Sequence, residues 1–329
     1  MRGKTCLAAA NSSPGELAAS SSGGAFSIIA RAALEKGGVV YGHAYVSPTR
    51  VACVRTEDAD GLARLRGSKY VQSDMGLAMR DVLDDLRAGR EVVFSGTPCQ
   101  VAGLKAFLRV ERAETGGLLL VDIVCHGVPS PEFFSDCMGW EARGGELREV
   151  RFRDKREGWG CSGAIVAAPG GSEARGKPFS PETSYYYRRF IAGDVYRESC
   201  YRCPYAGGQR PGDVTLGDFW GVDHEAAGLD PRKGISLVVA NTAKGEAALR
   251  TVKDSSRWAE RPIGEALAGN DQLRHPTPRP SARDVILEEW KALGIAALEG
   301  AHRRETAWSR RAWLAKRAVK RLLKGVLRR

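Results

Sequence analysis

VVFSGTPCQVAGLKAFL (residues 92–108), followed across a polar linker by LLLVDIVC (118–125), is the stretch whose reading decides the fold. Val92–Gly96 and the second run are short, apolar and bounded by turn residues, which is how a strand buried on both faces reads. Val101 to Leu108 keeps helical spacing between them. Strand, helix and strand in succession predict an α/β layer with a parallel or mixed sheet. Toward the N-terminus, SSSGGAFSIIARAALEKGG (20–38) predicts a helix. Ser20 to Ser22 offer N-cap hydroxyls, Phe26, Ile29, Ala30 and Ala33 share a face, and Gly37–Gly38 close it. VVYGHAYV (39–46) and RVACVRT (50–56) predict strands about a Ser-Pro turn, and a helix is expected from Met75 to Arg87, stopped by Gly89. The region before Ser20 holds an apolar run of only five residues, Cys6 to Ala10.

Toward the C-terminus the texture changes. A helix over Pro131 to Arg143 precedes strands at LREVRFR (147–153) and SGAIVAAP (162–169) and an aromatic helix, ETSYYYRRFIAGD (182–194). ISLVVANT (235–242) reads as another buried strand and GEAALRTV (245–252) as the following helix. The expected architecture is α/β, with mixed sheets flanked by helices in two packed subdomains and a basic amphipathic C-terminal helix. The expected bounds are 1–113, 114–300 and 301–329, since RVERAETGG (109–117) is polar and ends in glycines. At 329 residues the chain has room for about two domains.

Charge is localised. Residues 301–329 hold eleven Lys or Arg and one acid, so they carry +10 of the formal +11. The body is nearly neutral, and no nucleic-acid partner is expected for it. In AWSRRAWLAKRAVKRLLKGVLRR, Trp308, Ala312, Ala315, Val319, Leu322 and Val326 recur at helical spacing. Arg310, Lys316, Arg317, Lys320, Arg321 and Lys324 populate the other face, a pattern that suits an anionic membrane surface. No apolar run approaches the ~20 residues of a spanning helix, and the first residues lack a secretory core, so a cytoplasmic protein, peripheral at the inner face of the membrane, is expected.

Eight cysteines are too few for a disulfide scaffold. Cys99 and Cys125 each follow a strand, and Cys200 and Cys203 form a C-x-x-C in a loop rich in Pro and Gly. Four thiolates meeting above strand ends suit a [4Fe–4S] cluster, whose ligation is Cys₄. Spacing alone fits a structural zinc or a thiol–disulfide pair equally well, and a Cys₄ zinc-stabilised adaptor is the competing, non-enzymatic reading. Cys6, Cys53, Cys137 and Cys161 read as structural. Ser20 to Gly24 open a helix, where free N–H groups and the helix dipole favour an anion such as a diphosphate. Arg153, Lys155 and Trp159 form a cationic-aromatic set that suits either an anionic or planar substrate or a packed cross-strand pair. His126 reads as a structural or hydrogen-bonding histidine. No G-x-G-x-x-G links a strand to a helix, so a Rossmann nicotinamide site is not indicated.

Six motifs occur in order: SSSGGAF (20–26), GSKYVQS (67–73), FSGTPCQVAGLK (94–105), VDIVCHGVPSP (121–131), FRDKREGWG (152–160) and SCYRCPYAGGQRPGDVTLGDFWG (199–221). On these the chain, from about Asn11 to Asp271, resembles the coenzyme F-420 hydrogenase/dehydrogenase beta-subunit family of iron–sulfur flavoproteins. The resemblance implies that Cys99, Cys125, Cys200 and Cys203 bind one [4Fe–4S] cluster and that FAD is the second cofactor. It makes Ser21, Ser22, Gly23 and Gly24 the seat of the FAD diphosphate or ribityl chain. It places Lys69 toward the flavin N1–C2=O edge, Gly96 and Thr97 beside the isoalloxazine, and Asp218 as a supporting acceptor or turn cap. The implied activity is electron transfer between cluster and FAD, and thence to or from a hydride-type substrate such as a deazaflavin coenzyme. The ferredoxin-like CxxCxxC module of many relatives has no counterpart before Ser20, so a ferredoxin or an iron–sulfur partner protein is the expected electron donor.

Overall fold

The protein is described here by a computed structural model that covers residues 3–168, 175–253 and 256–326. Its strands are β1 (Cys6–Asn11), β2 (Val39–Ser47), β3 (Arg50–Thr56), β4 (Val92–Gly96), β5 (Leu118–Ile123), β6 (Glu146–Arg151), β7 (Gly163–Ala168), β8 (Arg175–Phe179), β9 (Val214–Asp218), β10 (Ser236–Ala240) and β11 (Ser256–Glu260). Eight of them form one mixed sheet in the order β11-β1-β10-β9-β5-β4-β2-β3, and β6-β7-β8 form an antiparallel second sheet. β2, β4, β5 and β9 run parallel, with Val92 opposite Leu118 and Gly96 opposite Asp122. Strands from both sides of residue 113 therefore share the large sheet.

Alternation along the strands explains the layers. Val40, Val93, Val121, Val238 and Ala9 point to one face, under α2 (Ala25–Leu34), α3 (Ala59–Leu65) and α9 (Ala243–Thr251). Val39, Tyr41, Val92 and Phe94 point to the other, under α4 (Ala78–Arg87) and α5 (Pro98–Val110). Farther along that face, Ala8, Leu237 and Val239 meet α10 (Ile263–Gly269). Strands buried on both sides need an unbroken apolar run, which is why VVFSG and ISLVVA carry no alternating polar residue.

The second core is aromatic. It joins the small sheet to α6 (Pro131–Ala142), α7 (Tyr185–Ala192) and α11 (Ala282–Glu305). Phe134 and Tyr186 rings are 5.0 Å apart and Phe152 and Phe179 5.2 Å apart, contacts worth about 0.5–1.5 kcal/mol each beyond their buried area. Cys137 is wholly buried here and Cys6 in the large sheet. α11 breaks direction at Gly294, whose φ is +73°, and α12 (Ala307–Val326) follows. The tail helix is thus present; the side chains of Lys320, Arg321, Leu322, Lys324 and Val326 lie outside the described residues. Among the described residues no helix is long and apolar enough to cross a membrane.

Candidate active site

Parallel strands end together, and the loops that leave them meet above the sheet edge. A cavity of about 540 Å³ opens there. Ser21, Ser22, Gly24, Lys69, Gly96, Thr97, Asp218, Cys99 and Cys125 all line it. These come from five segments of the chain, and the volume is that of a small-molecule or cofactor site.

The 20–24 segment departs from its expected role. The serine hydroxyls do not cap α2, because each has another partner. Ser20 Oγ donates to Glu16 O (2.8 Å), Ser22 Oγ donates to Ile235 O (2.8 Å), and Ser21 Oγ accepts from the Ser68 N–H (2.7 Å). Gly24 stands at the N-cap with φ +83° and offers no side-chain cap of its own; the Ala25 N–H donates instead to Ser236 Oγ (3.4 Å). Phe26 and Ser27, on its first turn, face the cavity. Gly23 is not at the cavity surface: a Cβ there would meet Ala9 O at 1.9 Å and Ser236 N at 2.5 Å, so only glycine lets this loop lie on the sheet.

Lys69 is held rather than loose. Its Nζ donates to Leu65 O (2.9 Å) and Arg66 O (2.8 Å), closing the C-terminal end of α3, and burial pushes its pKa down to about 7. Beside it His43 pairs with Ser73 Oγ at 2.6 Å. Burial, reinforced by the Lys69 charge, lowers the His43 pKa to about 4, so its imidazole is neutral.

Asp218, at the end of β9, receives Arg153 Nη1 (2.8 Å) and Trp159 Nε1 (3.3 Å). Trp159 stacks on Trp220 with centroids 4.3 Å apart. Lys155 Nζ donates to Leu17 O (2.6 Å) and to Ser22 O. The cationic-aromatic set thus acts as struts from the small sheet to the cavity wall, and its two cations hold protein atoms. Arg153 Nε and Nη2 are buried without a hydrogen-bond partner in the described residues.

The cysteines occupy one corner. Cys99 lies on the first turn of α5, which begins at Pro98, three residues before the expected start. Thr97 precedes it as N-cap; the Thr97 N–H donates to Gln100 Oε1 (2.9 Å), and Thr97 Oγ1 sits 3.2 Å from Cys99 Sγ. Cys125 lies two residues past β5. Cys200 and Cys203 lie in and just after a short 3₁₀ turn, Glu198–Arg202, outside the cavity lining. Burial raises the Cys125 thiol to about 12; the Gly127 N–H opposes that shift, and Cys200, Cys99 and Cys203 reinforce it. Burial likewise raises Cys200, against the Val128 N–H, with Cys99 and Cys203 adding to the rise. Cys99, Cys200 and Cys203 each lie near enough to Cys125 to bear on its thiol. Among the described residues no three His, Cys, Asp or Glu side chains are close enough to grip one metal ion.

Two tethers fix that corner. The Arg197 N–H donates to Val128 O (2.9 Å), joining the 126–128 loop to the C-x-x-C turn. Arg210 Nη2 donates to Asp122 Oδ1 (2.7 Å), with both side chains all but fully buried, which binds the segment after Cys203 to β5. Sequence reading missed Asp122, Arg210, Tyr70 and Trp220; a charged residue inside the apolar run LLLVDIVC was the available signal.

No functionally curated protein matches the sequence. Among solved structures the chain is similar to one in the F420-reducing [NiFe] hydrogenase complex from Methanosarcina barkeri, solved with xenon. The TM-score is 0.55 at 17% identity, over 89% of this chain and 94% of that one, a likeness of fold. Residues 89–266, more than half of the chain and including β4, β5, β9, Cys99, Cys125, Cys200 and Cys203, match the family described as the C terminus of the coenzyme F420 hydrogenase/dehydrogenase beta subunit. The chain belongs to this family of redox proteins.

Proposed function

We propose that the protein is an iron–sulfur flavoprotein oxidoreductase, with FAD in the 540 Å³ cavity and one [4Fe–4S] cluster held by Cys99, Cys125, Cys200 and Cys203 at its corner. The observation that carries the reading is the meeting of the serine-glycine loop, the Lys69 loop, the strand-end threonine and two of the four cysteines in one cavity. The donor set fits the cluster. Four cysteines come from three segments, Cys99 and Cys125 on the cavity wall and Cys200 and Cys203 on the turn that the Arg197–Val128 hydrogen bond ties to the loop after Cys125, and a Cys₄ cluster would take all four as ligands. The cavity fits the flavin through the first turn of α2, where Ser236 Oγ takes the Ala25 N–H and the Phe26–Ser27 turn faces the cavity as a seat for a diphosphate. When bound, FAD exchanges electrons singly or as a hydride while a cluster moves one at a time, so the pair joins a one-electron donor to a two-electron substrate such as a deazaflavin coenzyme.

The chain's own groups prepare the site. Lys69 sets a cation, titrating at about 7, on the cavity wall without freedom to swing, since backbone carbonyls hold it. His43 adds no second charge beside it. Asp218 fixes Arg153 and Trp159 and so closes the wall on the small-sheet side. Cys99 is exposed and marks the approach for a ferredoxin or other iron–sulfur donor protein.

Anaerobic purification tests the reading. The expected protein is yellow-brown, bleaches with dithionite, and carries iron, acid-labile sulfide and FAD, with iron and sulfide lost in Cys125→Ser. Colourless protein containing stoichiometric zinc would overturn it in favour of a zinc-stabilised module.

A further inference from the structure

α12 turns its apolar residues outward. Trp308 is 84% and Val319 55% exposed, and Ala312 and Ala315 lie between them at spacings of four, three and four residues, a single stripe on one face. The opposite side carries Arg310, Trp313 and Arg317. There Arg317 lies over the Trp313 ring at 5.3 Å, and Arg310 senses the buried Glu141 and Glu299. Arg311 and Lys316, both exposed, flank the stripe on either side. The 307–326 sequence contains seven Lys or Arg and no acid.

We infer that this outward face of α12 is a docking surface for an anionic phospholipid membrane. From Trp308 through Ala312 and Ala315 to Val319 the stripe lies in one outward plane with the cations that flank it. A lipid surface accepts such a band and, in the same plane, meets the cations beside it with its phosphates. A nucleic acid has no use for the apolar band. The surface lies outside the cavity and needs neither cofactor, so its test is independent of the redox reading.

The full chain should co-sediment with phosphatidylcholine vesicles containing phosphatidylglycerol and not with phosphatidylcholine alone. Trp308→Ser and Val319→Asp should abolish sedimentation while leaving the thermal unfolding midpoint unchanged, since both residues are exposed. Arg311→Glu with Lys316→Glu should weaken it about tenfold or more, from about 1 kcal/mol per basic residue at an anionic surface. Three results would each overturn the inference: no binding to the anionic vesicles, equal binding to both vesicle types, or stronger competition by soluble polyglutamate than by vesicles.

Discussion

At position 127 a Cβ would sit 2.3 Å from Cδ2 of Tyr196, and φ is +139°. Glycine alone fits, and the loop it permits aims the N–H groups of Gly127 and Val128 at Cys125 and Cys200. Gly127→Ala should cost about 2–3 kcal/mol through overpacking and backbone strain, and iron content should fall with it. Differential scanning calorimetry and iron per chain would check both. A second residue stands apart from the cavity. Glu299 is fully buried, both its carboxylate oxygens lack hydrogen bonds, and Arg303 lies 3.6 Å away. Burial, then the neighbouring Glu141 carboxylate, raises its pKa to about 7, against the pull of Arg303 and Lys177. Between about pH 4.5 and 7 the folded chain therefore binds the extra proton, so stability falls as pH rises through that window and the loss is complete above it. Glu299→Gln should add about 1–3 kcal/mol at pH 8 and almost nothing at pH 4.5, read from urea unfolding at the two pH values.

Among elements, β5 carries the most consequence, because its fifth residue, Asp122, anchors the chain beyond the C-x-x-C. Arg210→Met leaves that carboxylate buried with only the Gly212 N–H and the Thr215 hydroxyl. The expected loss is about 3–5 kcal/mol in denaturant unfolding, partly recovered when Asp122→Asn is added. β4 and β5 were legible in sequence because parallel strands buried on both faces leave compact apolar runs. β1 was not: CLAAA has little β propensity, and only pairing with β10 and β11 makes it a strand. The start of α5 at Pro98 was signalled by proline at a first turn, yet the apolar spacing from which the helix was read begins only at Val101. Ser21 and Ser22 misled because their partners, Ser68 and Ile235, lie 47 and 213 positions away, where no local rule sees them. Residue types at the site were readable, whereas the struts from the small sheet were not, since nothing in FRDKREGW names Asp218 as its partner.

The whole molecule is two sheets meeting at a cavity, and Asp218 is where they join. Asp218→Ala should free Arg153 and Trp159 and weaken FAD binding about tenfold or more while the fold persists, as a lost hydrogen-bonded charge pair would. Fluorescence titration of flavin-free protein with FAD, alongside circular dichroism, measures the two effects separately. The strand order has a further effect. β1, first in chain order among the described strands of the large sheet, sits between β10 and β11, the last two in that order. Ser22, on the cavity wall, is tied to Ile235 O, and Gly23 beside it lies against Ser236 N. β1 therefore has no sheet partner on either edge until residues 236–260 have been made, and until then the Ser22 side of the cavity lacks its Ile235 support. In that interval β1 is an open edge with which other chains can pair.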